Sequence, residues 1–130
     1  TGQIVTLSNN ASGGFVKALG DKSRGVVVTQ VFPSERAATF PLVREATALA
    51  QQANIQLTPA MVEGFTNANV LVEGLRRAGP KPTRASLHKA LETFNQYDVG
   101  GLTLSYTAED HSGLDFSDLS IIGPDGHFRR

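Results

Sequence analysis

The sequence contains no cysteine. That removes disulfides, thiol catalysis and thiolate metal sites together, and it fits an oxidising or a reducing compartment equally well. There is no excess of either charge: 12 basic residues face 12 acidic ones, so no strong field is available to hold nucleic acid, which is not expected as a partner. No apolar run approaches the roughly 18 residues of a membrane-spanning helix, and no basic amphipathic helix suggests lying on a bilayer. Internal repeats and low-complexity stretches are also missing. So are a glycine-rich phosphate loop with its lysine, a nucleophile elbow and a carboxylate pair on one helix face. The expectation is therefore a protein without enzymatic activity, without a cofactor and without a metal site.

What is present, in 130 residues, is an α/β pattern. Residues 3–7, QIVTL, read as a short strand, and residues 8–14, SNNASGG, form the polar, glycine-rich loop of a strand-to-helix turn. A short helix over 14–19 follows. Residues 25–31, GVVVTQV, are β-branched and almost continuously apolar, which predicts a strand buried on both faces of a parallel sheet. The first part of the chain is thus a parallel βαβ unit. Pro33 breaks the pattern, because it cannot donate to a ladder and pushes Phe32 towards an extended conformation.

Three helices come next. Over 39–53, Leu42, Val43, Ala46, Leu49, Ala50 and Ala53 share a face, with Pro41 in the first turn. Residues 58–80 are the longest and best-delimited element: Thr58 is an N-cap, Pro59 suits the first helical position, and Gly79 with Pro80 supplies the stop. Met61, Gly64, Phe65, Ala68, Leu71, Val72, Leu75 and Ala78 recur there at three- and four-residue steps, which predicts that this stripe is the buried one. A third helix starts at the N-cap Thr83 and carries Leu87, Ala90, Leu91 and Phe94 on one side. The tail then alternates through Leu102, Leu104 and Tyr106, and residues 119–122 form a further strand. A turn at Gly123, Pro124, Asp125 and Gly126 returns the chain as an antiparallel hairpin.

Such a strand pair and such helix faces need more covering surface than this chain supplies. Either copies associate through these faces or further chain of the same protein covers them. Residue 1 is threonine and no signal peptide precedes the first apolar run, so the expectation is a fragment whose start lies upstream and which lacks an N-terminal part.

The ordered set GVVVTQVFP, VEGFTNANVLVEGLRRAG, TRASLHKALETF, YDVGGLTLSY, DHSG and IIGPDGHFRR resembles the C-terminal third of a type I periplasmic binding protein. The nearest group is the branched-chain amino acid binding family of ABC transporter receptors. The resemblance implies two α/β lobes joined by hinge crossings, with a small ligand trapped as the lobes close. Mapped onto this sequence it implies second-lobe βαβ structure over 1–31, a crossing over 32–36, first-lobe helices over 37–102, a second crossing over 103–107 and second-lobe strands over 108–130. It further implies a periplasmic solute-binding component of an ABC importer that takes an amino acid or related acid or amide and delivers it to a membrane permease. Two other readings stand beside it: the ligand-sensing domain of a receptor, and an interaction module that dimerises through uncovered helix faces.

Candidate ligand-binding residues follow from position and resemblance together. Ser8 and Asn9, with Asn10, sit where a strand ends and a helix approaches, the place at which open α/β sheets bind ligands, although such residues also simply build turns. The family's zwitterion binders often place an acidic group at this loop, and Ser8 departs from that. The resemblance puts Phe65, with Glu63 just before it, where an aromatic ring borders the cleft; Phe65 also fits the apolar stripe, and Glu63 also fits a solvated surface. Gln30 and Phe32, at the first crossing, either line the cleft floor or serve only the backbone. His111, beside Asp110 in DHSG, invites a catalytic or metal reading. Adjacent loop residues point apart, however, and no second histidine is near in sequence, so a turn is expected there. His88 and His127 read as a helix-surface and a hairpin residue.

Overall fold

The computed structural model describes residues 2–130. Strand β1, Val5–Thr6, leads through a 3-10 turn at Ser8–Asn10 into helix α1, Gly13–Leu19. The Ser12 hydroxyl accepts from the Phe15 N–H at 3.3 Å and so caps that helix. Strand β2, Val27–Gln30, returns parallel to β1, with Val5 opposite Val27. Strand β5, Asp118–Ile122, pairs antiparallel on the other side of β2, and β6, Phe128–Arg129, closes the edge, giving the order β1-β2-β5-β6. The hairpin between the last two strands turns where the glycines and Pro124 stand, and the Gly126 N–H donates to the Gly123 carbonyl at 3.1 Å.

The expected two-sided burial of residues 25–31 is not what forms. Val26, Val28 and Gln30 are buried, Val27 and Thr29 are half-buried, and Val31 is exposed. Among the described residues only one face of the sheet is covered, by Ala11, Phe15 and Val16 packed with Val26, Val28, Ile122 and Phe128. The open face carries Val5, Leu119 and Ile121, the first two at 59% and 57% exposure. The neighbour that β2 gains at its second edge is the antiparallel β5, so the sheet is mixed.

Helices α2 (Pro41–Gln52), α3 (Pro59–Ala78) and α4 (Arg84–Leu91) follow. Their ends are set locally: the Thr58 hydroxyl accepts from the Met61 N–H at 3.3 Å, and Thr83 and Ser86 form a reciprocal capping box. Gly79 ends α3 at φ +91°, a conformation that glycine adopts without a Cβ penalty. The face that α3 buries, however, is not the expected one. Met61, Leu71 and Val72 stand 41%, 48% and 53% exposed, whereas Val62, Thr66 and Gly74 are buried. The reason lies opposite the helix. Gly74 meets α4 so closely that a Cβ there would sit 2.8 Å from Leu91 Cδ2. Phe65 and Val70 pack on a second cluster, built around Leu42 and Phe94, which turns the neighbouring stripe outward. Thr66 is tolerated inside because its hydroxyl donates to the Val62 carbonyl at 2.8 Å.

A two-stranded hairpin, β3 (Tyr97–Asp98) with β4 (Thr103–Leu104), completes the helical side. Leu42, Phe94, Val99, Leu102 and Leu104 form its core, and Phe32, Tyr106, Leu114 and Phe116 pack around them. Leu104 and Tyr106, within the stretch 103–107, thus lie in or against this cluster, and Leu114 and Phe116 pack on it before β5 begins at Asp118.

Candidate functional site

Because β1 and β2 run parallel, their carboxyl ends lie on the same side of the sheet. Ser8 follows one and Gln30 ends the other. Both line a small cleft of about 90 Å³ together with Asn9, Phe32, Ala60 and Glu63. Ala11 of the first cluster and Phe32 of the second both border it, so the cleft lies where the two clusters meet. The lining combines the hydroxyls of Ser8 and Ser12, two carboxamides, a carboxylate and the N-terminal turn of α3.

Each group is held by local structure. The 3-10 turn fixes Ser8 through its carbonyl, which accepts from the Ala11 N–H at 2.9 Å, and Asn10 braces the same turn by donating to the Thr6 hydroxyl at 2.7 Å. Asn10 thus serves the loop. Gln30 is buried, and its amide N–H donates to the Ser120 hydroxyl at 2.8 Å. Ser120 in turn donates to the Val28 carbonyl at 3.3 Å. This chain fixes the amide orientation, and among the described residues its oxygen has no hydrogen-bond partner, which leaves it available to a donor in the cleft.

Four of the five residues expected to bind ligand, Ser8, Asn9, Gln30 and Glu63, line this one cleft. Phe65 does not. It is half-buried against the second cluster, and the reason is helical geometry, since residues two apart on a helix do not share a face. Ala60, one turn before Glu63, carries no signal in its residue type; its place at the start of a capped helix is the feature that could have found it.

The histidines behave differently. Asp110 does not orient His111, because its carboxylate accepts from the Ser112 N–H at 2.8 Å. His111 instead stands beside His88, with ring centroids 5.6 Å apart and the rings nearly perpendicular. The fold therefore supplies the second histidine that the local sequence does not.

The family model described as periplasmic binding protein matches residues 1–115. No curated protein matches the chain. Among solved structures, it is 36% identical to a substrate-binding periplasmic protein from Ralstonia solanacearum, with a TM-score of 0.84 over 98% of this chain and 38% of that one. It is 29% identical to an extracellular ligand-binding receptor from Verminephrobacter eiseniae, with a TM-score of 0.80 over 100% of this chain and 38% of that one. A possible leucine/isoleucine/valine-binding protein from Rhodopirellula baltica is 28% identical, with a TM-score of 0.87 over 100% of this chain and 36% of that one. The chain thus spans a little over a third of the length of these structures. It belongs to the periplasmic binding protein family, and its fold is that of a portion of the two-lobed type I members.

Proposed function

We propose that this chain is part of an extracytoplasmic solute-binding component of an ABC importer, and that its cleft contributes one wall of the site for a small amino acid or a related acid or amide. The observation that carries the reading is the convergence at one cleft of the turn after β1, the end of β2 and the first turns of α3. A zwitterion is the complementary ligand. The Ala60 N–H, near the positive end of α3, suits a carboxylate, whereas Glu63 suits an ammonium group, with Ser8 and the Gln30 oxygen as further partners. Glu63 would then provide from the helix the acidic group that the Ser8 loop lacks. A cleft of about 90 Å³ holds only about three waters' worth of volume, so the remaining wall comes from other chain. The likeness to the possible leucine/isoleucine/valine-binding protein supports an amino acid as the ligand class.

On the same reading, residues 2–31 and 118–130 form one lobe and residues 34–116 contribute to the other. Further chain of the same protein covers the open sheet face and the Met61, Leu71 and Val72 stripe. The protein works in the periplasm and hands its ligand to a membrane permease. Thermal-shift and calorimetric screening of the complete protein against amino acids, their amides and related acids tests this. At least one such compound is expected to stabilise the protein, and Ser8→Ala and Glu63→Gln are each expected to weaken it by roughly tenfold, the worth of one charge-assisted or hydroxyl hydrogen bond. A complete panel without stabilisation, or unchanged affinity in both variants, sinks the reading.

A further inference from the structure

The C-terminal end of α4 and the loop before β5 bring together three side chains with metal-ligating chemistry, none of which lines the cleft described above. His88 and Glu92 are four positions apart at the end of a helix, so both project from one side. His111 reaches them from a loop that is internally braced: the Thr107 N–H donates to the Asp110 carbonyl at 2.9 Å, and the Asp110 N–H returns a bond to the Thr107 hydroxyl at 3.0 Å. His88 Nδ1 lies 3.4 Å from Glu92 Oε1, and His111 Nε2 lies 3.3 Å from the same oxygen. All three ligand atoms fall within 4.8 Å of one another.

A charge-assisted hydrogen bond from an imidazole to a carboxylate closes to about 2.7–2.9 Å, whereas His111 makes only a long hydrogen bond to Glu92 at 3.3 Å and His88 stands at 3.4 Å. A tetrahedral zinc ion with bonds of about 2.0–2.1 Å separates neighbouring ligand atoms by about 3.4 Å. Two of the three edges already have that spacing, and the third closes by rotation of exposed histidine rings. The electrostatics agree, since the end of a helix favours a cation and Glu92 adds a formal negative charge. Beside the three ligands lies a cavity of about 260 Å³ walled by Val70, Leu91 and Tyr106. It leaves room for a water or an exogenous donor as a fourth ligand.

We propose that His88, Glu92 and His111 form a binding site for a divalent transition metal, with zinc as the best match to two imidazoles and a carboxylate in tetrahedral spacing. A bound ion would staple the loop at 107–113 to the end of α4. The proposal is independent of the solute-binding reading, because none of the three residues touches the cleft.

The test is calorimetric titration of chelator-stripped, tag-free protein with zinc chloride, paired with visible absorption on cobalt(II) substitution. Saturable one-to-one zinc binding and the d–d bands of a tetrahedral cobalt site are expected. His88→Ala, His111→Ala and Glu92→Gln should each weaken zinc by more than the roughly 10- to 100-fold that loss of an outer-sphere partner costs. His127→Ala, which changes the histidine outside the cluster, should leave binding unchanged. Absence of saturable binding overturns the proposal, as does wild-type affinity in both histidine variants. Should a variant fold poorly by circular dichroism, the cobalt spectrum of the unaltered protein decides alone: no tetrahedral bands means no site.

Discussion

The two hydrophobic clusters differ in where their members come from along the chain. The sheet cluster joins Ala11, Val26 and Val28 to Ile122 and Phe128, so it closes only when the C-terminal hairpin meets the first strands. The helical cluster draws Leu42, Phe94, Val99, Leu102 and Leu104 from one continuous stretch. In the first, strands pair edge to edge and α1 covers one face, and in the second α3 packs on both α2 and α4. The difference teaches that this chain holds two cores of unlike contact range, joined where Phe32 follows β2, and that each leaves one apolar face open among the described residues.

Mutations at the two cores test how separate they are. Phe94→Ala should cost about 4 kcal/mol and Ile122→Ala about 3 kcal/mol, the range for large-to-small changes at fully buried sites. The chain has 2 tyrosines and 0 tryptophans, and both Tyr97 and Tyr106 pack on the helical cluster. Tyrosine fluorescence therefore reads that core alone, whereas far-ultraviolet circular dichroism reads both. Ile122→Ala is expected to shift the circular-dichroism transition in urea and leave the tyrosine transition close to wild type. Coincident shifts would show one cooperative unit and erase the distinction.

Glycine substitutions sharpen the same contrast with a smaller effect. Gly100, in the turn between β3 and β4, has φ +75°, and a Cβ there would lie 2.7 Å from the Leu42 backbone nitrogen. That nitrogen also donates to the Gly100 carbonyl at 3.0 Å, so the backbone cannot simply back away. Gly100→Ala should therefore lose about 3 kcal/mol, combining left-handed strain with overpacking. At Gly13, the start of α1, an added Cβ would meet nothing within 4 Å. Gly13→Ala should be neutral or stabilise by up to about 1 kcal/mol through helix propensity. Equal losses in thermal denaturation would mean that the turn at Gly100 is looser than its geometry indicates.

What was legible in the sequence follows physical range. The limits of α3 are written by Thr58, Pro59 and Gly79, and the last hairpin by its glycines and Pro124, all of which act on their immediate neighbours. The buried face of α3 was not legible, because the helix carries apolar residues on two adjacent stripes. Choosing Val62, Phe65 and Val70 over Met61, Leu71 and Val72 depends on what lies opposite. Strand β3, two residues long, has no period to detect. For the cleft, Ser8 and Gln30 were readable as strand ends, whereas the exclusion of Phe65 required knowing which way Glu63 points. The pairing of His111 with Glu92, 19 positions away, obeys no spacing rule at all.

The open stripe on α3 supplies a smaller test. In the 130-residue chain, Leu71→Gln together with Val72→Gln should change stability by no more than about 0.5 kcal/mol, as expected for exposed positions. In a longer protein whose further chain covers the stripe, as proposed above, the same pair should cost about 2 kcal/mol or more from lost apolar burial. Equal effects in the two settings, measured by urea denaturation, would remove the proposed cover.

The smallest expected effect concerns the link between the two cores. Arg130 pairs through Nη1 with Asp118 of the sheet and donates through Nη2 to the Phe32 carbonyl at 2.8 Å, and Phe32 packs on the helical cluster. The Leu119 N–H, donating at 2.8 Å, and the Arg130 guanidinium together hold the Asp118 carboxyl below its ordinary value of 3.8. A carboxylate depressed in the folded state adds stability above its unfolded pKa, and that stability is lost as the pH falls through the folded one. The pair lies at the surface with its side chains 22% and 42% exposed, and solvent screening limits its worth, so Asp118→Asn should lower stability at neutral pH by only about 0.3 kcal/mol. The gap between wild type and variant should hold down to the ordinary aspartate value and then close in more acidic solution. A gap that persists at about pH 2, below the usual range of aspartate titration, would show that shape rather than charge ties Asp118 to Arg130, and the electrostatic link between the two cores would be lost from the account.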